Sequence, residues 1–163
     1  MATLKEDIQT QSDWLVKAFA ADGLTLDYTL ASLIAVDRFF ALHAKNGHAV
    51  KGGRLAQNFG AVIFAIGAYV GQTIIAQVPG AVWLTDDNDP QGEITAAVQF
   101  TDGTTMWHMQ KVMKRFKNGA EDSIYLYAYH ITKDHTSEPY TEGVWDALKE
   151  DTAPQPWWRF WGK

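Results

Sequence analysis

The sequence predicts an α+β protein. N-terminal helices, including a buried glycine-striped central helix, pack on a three-stranded antiparallel sheet, which one or two helices follow. Three observations carry this reading. Leu55 to Leu84 runs for 30 residues without a charge, and its centre, Phe59 to Gly71, is apolar at a helical spacing. The apolar period changes from helical to alternating after Pro79-Gly80. It changes back after the Asp102-Gly103 hairpin signal.

The chain has 163 residues, five more acidic than basic side chains, and 47% hydrophobic composition. That length suggests one domain, taken as 1–150, with an aromatic tail at 151–163. The negative balance and scattered Lys and Arg argue against nucleic acid. Absence of cysteine excludes disulfides, thiolate nucleophiles and Cys-ligated metals. The first residues, Met-Ala-Thr-Leu-Lys-Glu-Asp, lack the apolar segment of a signal peptide, so the expected location is cytoplasmic.

Taken in order, Leu4 to Ala21 reads as a helix with Leu4, Ile8, Leu15 and Phe19 on one face and Trp14 and Ala18 beside it. Gly23 stops it. A second helix is expected from about Asp27 to Ala44, capped by Thr25 and ended by Asn46-Gly47. Asp37 lies in its apolar interior and needs a partner, with Arg38 or Arg54 as the candidates. Residues 46–54 read as a Gly-rich loop. In the central helix Gly60, Gly67 and Gly71 share one stripe. Each glycine disfavours a helix by about 1 kcal/mol relative to Ala, so the stripe implies close approach by another backbone or a large ring. A membrane span competes, but the strictly apolar run of 13 residues, Phe59 to Gly71, is short for one. No transmembrane span is expected.

Pro79 takes Val78 out of helical geometry. Ala81 to Leu84 is a first strand and Thr85 to Gly92 a polar turn. Glu93 to Phe100 alternates as a second strand, with Ile94, Ala96, Val98 and Phe100 on one face. Thr104 to Trp107 is a third, completing a meander. From Met109 a helix shows Val112, Met113 and Phe116 inward and Lys111, Lys114, Arg115 and Lys117 outward, ending at Asn118-Gly119. Ile124 to Ile131 fits helix or strand; its Glu121-Asp122-Ser123 start favours helix. Val144 to Leu148 suggests a short helix. The end, with Trp157, Trp158, Phe160 and Trp161, presents aromatics that fold back, join two copies in a homodimer, meet a partner, or rest at a membrane interface.

The order Ile66-Gly67-Ala68-Tyr69-Val70-Gly71-Gln72, Trp83, Asp102-Gly103 and Lys111 to Gly119 resembles a family of uncharacterised bacterial domains. That family shows Gly-x-x-x-Gly-Glu, then Trp, then Lys-Arg, then Gly. The resemblance covers about a third of the chain and speaks to fold. Gln72 stands where the family often carries Glu, so any chemistry of that Glu is not expected here. Small acidic bacterial proteins of this general type include immunity partners of toxins, a fold-level analogy.

Motifs for chemistry are weak. Asp87 to Ile94 echoes a calcium loop, but its twelfth position is Val98 instead of a bidentate Glu, so a turn is expected. His108, His130 and His135 lack metal-binding spacing, and no serine lies in a nucleophile motif. The best acid–base pairing is His108 with Asp102 or Glu93 across the hairpin. The expected function is therefore a non-catalytic protein-binding module without a cofactor. Its contact residues would be Asp86, Asp87, Asp89, Trp107, Trp157 and Trp158. The alternative is a small-molecule-binding domain or hydrolase-like enzyme with a pocket beside the central helix, near Tyr69, Gln72 and His108.

Overall fold

The computed structural model describes residues 2–144 and residue 148. The fold is α+β, with α1 (Leu4–Ala21), α2 (Leu33–His43), α3 (Arg54–Gln57), α4 (Phe59–Gln77), α5 (Gly92–Thr95), α6 (His108–Asn118) and α7 (Ile124–Thr132). The strands are β1 (Ala44–Lys45), β2 (His48–Ala49), β3 (Val82–Leu84), β4 (Ala97–Gln99) and β5 (Thr105–Met106). A small hairpin joins β1 and β2, and the second sheet is antiparallel in the order β3-β4-β5.

α4 is the hub. α1 packs along one side of it and α6 along another. Among the described residues it is the one helix long and apolar enough to cross a membrane, yet 61% of its most apolar window is buried inside the protein. The glycine stripe explains part of this enclosure. A Cβ at Gly71 would run into the Trp83 ring, and one at Gly67 would meet the Met109 sulfur. Gly60 has open space around it, so close approach accounts for two of the three glycines.

α1 begins at a capping box. The Thr3 hydroxyl accepts from the Glu6 amide at 3.3 Å, and the Glu6 carboxylate accepts from the Thr3 amide at 2.6 Å. Its expected face, Leu4, Ile8, Leu15 and Phe19, is buried. In the sheet, Trp83 pairs with Val98 and Val98 with Met106. The hairpin turn places Gly103 at φ +90°, a conformation glycine adopts without strain. α7 is a helix, capped by the Ser123 hydroxyl accepting from the Leu126 amide at 3.2 Å.

Five expectations need correction. α2 starts at Leu33, not near Asp27. The Asp27 carboxylate instead accepts from the Thr29 hydroxyl at 2.6 Å and its amide at 3.2 Å, with Tyr28 left-handed at φ +62°. Glu138, more than a hundred residues away, accepts from the amides of Leu30 and Ala31, both at 2.8 Å. The strand expected over Glu93 to Phe100 is only Ala97–Gln99; the helical turn α5 precedes it. Asp89 builds that turn by accepting from the Gln91 amide at 2.8 Å and the Thr95 hydroxyl at 2.7 Å, which leaves Ile94 exposed.

Two further corrections concern charges. Arg115 faces inward and is buried, and it, not Arg38 or Arg54, is the ion-pair partner of Asp37. Its Nε donates to Asp37 Oδ1 at 2.9 Å and its Nη2 to the Asp37 carbonyl at 2.8 Å. Asp37 also accepts from the Ser123 hydroxyl and the amides of Ile124 and Tyr125, at 2.8, 3.0 and 2.9 Å. One carboxylate thus ties α2, α6 and the start of α7, and every lone pair that burial strips of water is answered. A fifth concerns residues 46–54, expected as a Gly-rich loop: they include β2 and the turn that joins it to β1, with Asn46 at φ +53° and Gly47 at φ +76°. Val144 and Leu148 are buried, and the residues between them lie outside the described set.

Candidate functional site

Most residues that the sequence singles out are engaged in holding the fold. Tyr69 is fully buried; its hydroxyl accepts from the Tyr28 amide at 2.9 Å and shares a 2.6 Å hydrogen bond with Ser32. Burial pushes the Tyr69 phenol up, against the pull of the Ser32 contact. The Gln72 carbonyl accepts from the Trp83 indole at 3.1 Å, and its amide donates to Gln9 at 2.6 Å. The space beside Gly67 and Gly71 is filled by Met109 and Trp83, so the pocket expected near Tyr69, Gln72 and His108 is occupied by side chains.

His108 is fully buried, edge-on to Trp83, and neither ring nitrogen has a hydrogen-bond partner. Burial pushes it down to about 4, a backbone contact at Gly67 opposing weakly, so the ring is neutral at pH 7. It forms no pair with Asp102 or Glu93. Asp102 instead meets His135 at 3.3 Å, on the surface, and is held below the usual carboxylate range first by the Thr104 amide.

The acidic loop is likewise tied down. Asp87 accepts from the Leu4 amide at 2.7 Å, anchoring the start of α1. Asp86 accepts from the Asn88 amide at 2.9 Å, and Asp89 organises α5. With Asp7 and Glu93 they surround a hollow of about 200 Å³. Trp107 is about half exposed, while Trp157 and Trp158 lie outside the described residues. No group of three potential metal ligands occurs among the described residues.

A different place has the form of a binding site. A cleft of about 410 Å³ opens between α1, α2 and the α3–α4 junction. Leu15, Ala18, Phe19, Phe39 and Val62 form its apolar lining, and Trp14, 49% exposed, stands at one wall. Phe19 and Phe39 lie 5.7 Å apart between ring centroids. The rim carries an ion pair between Asp22 and Arg54, with Gln57 and Asn58 beside it. Asn58 separates α3 from α4, and its side chain does not cap α4. The His43 ring lies tilted against Phe39, 4.5 Å between centroids; burial, then Arg54, push its imidazole down. Apolar walls with a few convergent polar groups are the usual make-up of a ligand site, and the volume lies within the common range.

Sequence reading missed this cleft. Its one available signal was Trp14, a large ring set beside the buried face of α1. The lining otherwise comes from segments up to 48 positions apart in the chain, from Trp14 to Val62. Gly67, Gly71, Trp83 and Arg115 serve packing or buried bonding in this structure, and Gln72 links Trp83 to Gln9 at a partly buried position. No family model, curated protein or solved structure matches the chain.

Proposed function

We propose that the protein is a non-catalytic binding module whose recognition site is the α1–α2–α4 cleft. The half-exposed Trp14 beside a cavity of about 410 Å³ carries this reading. A large ring left accessible at the edge of an apolar hollow gains contact area only when something enters. The ligand presents an apolar or aromatic group to Phe19, Phe39 and Val62 and a polar end to the rim. Three of the acids and histidines have structural employment: Asp37 bridges helices, Asp87 anchors α1, and His108 is sealed in the core.

The test is a titration of isotope-labelled protein with indole and benzyl alcohol, followed by amide and indole NMR shifts. The expected result is movement of the Trp14 indole signal and of amides at 14–22 and 54–62. Trp14→Ala should weaken the response about tenfold, the contribution of one well-packed aromatic contact. Shifts centred elsewhere, or none at millimolar probe, would overturn the proposal.

A further inference from the structure

The rim of the cleft is electrically two-sided. Asp22 stands at the C-terminal end of α1 and Arg54 at the start of α3. An acidic residue at a helix C-terminus opposes the local dipole, so Asp22 is not there to stabilise α1. Both side chains of the pair are well exposed, 59% for Arg54 and 38% for Asp22. Such a pair holds together weakly and can open or share its partners at little cost. Arg54 has five donor hydrogens and Asp22 four acceptor positions, and their single mutual contact leaves most of these available. Inward of them lie Trp14, Phe19, Phe39 and Val62.

Resting on the proposal that this cleft is the recognition site, we infer that its ligand is a free α-amino acid with a large apolar or aromatic side chain. The ammonium group meets Asp22 and the carboxylate meets Arg54. The side chain enters between Trp14, Phe19 and Phe39. A singly charged ligand would leave one member of the rim pair facing its own sign; a zwitterion answers both. The carboxylate can be received bidentately by the guanidinium. The cavity of about 410 Å³ accommodates even an indole-bearing amino acid.

Isothermal calorimetry on the full chain tests this with tryptophan, phenylalanine and leucine. The comparison ligands are N-acetyl-phenylalanine, phenylalanine amide and the doubly blocked N-acetyl amide. Free amino acids should bind, and each single block should weaken binding about tenfold or more, the worth of one hydrogen bond between charged groups. Asp22→Asn should lose its preference for the free amine, and Arg54→Gln its preference for the free carboxylate. Thermal melts should place both variants close to the parent, since the pair is exposed. If blocked and free forms bind equally, the amino-acid assignment falls while the cleft stands as a site for an apolar group, as within a peptide. If indole, benzyl alcohol and every amino acid fail together, the cleft itself is not the site.

Discussion

Acidification should destabilise this protein through one buried ring. His108 is enclosed between Gly67, Met109 and Trp83 with no hydrogen-bond partner, and burial lowers it from 6.5 to about 4. The unfolded chain therefore takes up this proton near pH 6.5, the folded chain only near pH 4. The neutral ring's contribution is fully present above pH 6.5 and is lost as the pH falls toward 4. Each pH unit in that window is worth about 1.4 kcal/mol per proton, so the whole loss approaches about 3 kcal/mol. Urea unfolding at half-unit steps from pH 7 to pH 4 would measure it, with His108→Leu and His108→Gln in parallel. Packing changes shift each variant's stability by the same amount at every pH, so the diagnostic is the slope. All other charged groups are common to the three proteins and cancel in the comparison. The parent should lose about 3 kcal/mol more than each variant across the window. Equal slopes would refute the assignment of an unpaired, neutral, buried imidazole.

The glycine stripe gives a ranked set. Gly60→Ala, with open space at its Cβ, should be neutral or stabilising by up to about 1 kcal/mol. Gly67→Ala meets the movable Met109 side chain, and Gly71→Ala meets the rigid Trp83 ring. Urea midpoints should therefore fall in the order Gly60→Ala, Gly67→Ala, Gly71→Ala, the last costing about 1–3 kcal/mol from overpacking. For the buried pair, Arg115→Ala should cost about 3–5 kcal/mol by stranding Asp37 in the interior. Arg115→Lys should recover little of it, because a single ammonium nitrogen lacks the planar fork whose separate Nε and Nη2 meet the Asp37 carboxylate and its carbonyl; chemical denaturation of the two variants decides this.

Local chemistry determined a good part of this protein from its sequence alone. The 3.6 period of Leu4, Ile8, Leu15 and Phe19 placed α1, and Pro79-Gly80 ended α4. Asp102-Gly103 turned the hairpin, and the cap at Ser123 settled α7. Each of these depends on neighbours within a few residues, so the signal lies in the chain's own order. Tertiary structure decided the rest. Arg115 turned inward because Asp37, 78 positions earlier, needed a partner in a place without water. α2 shortened because Tyr28 and Glu138 make better use of the residues before it. The alternation at Ile94 lost to side-chain bonds from Asp89. The cleft beside Trp14 exists only where three helix segments meet and fail to close, and no single segment records the shape of the space between them.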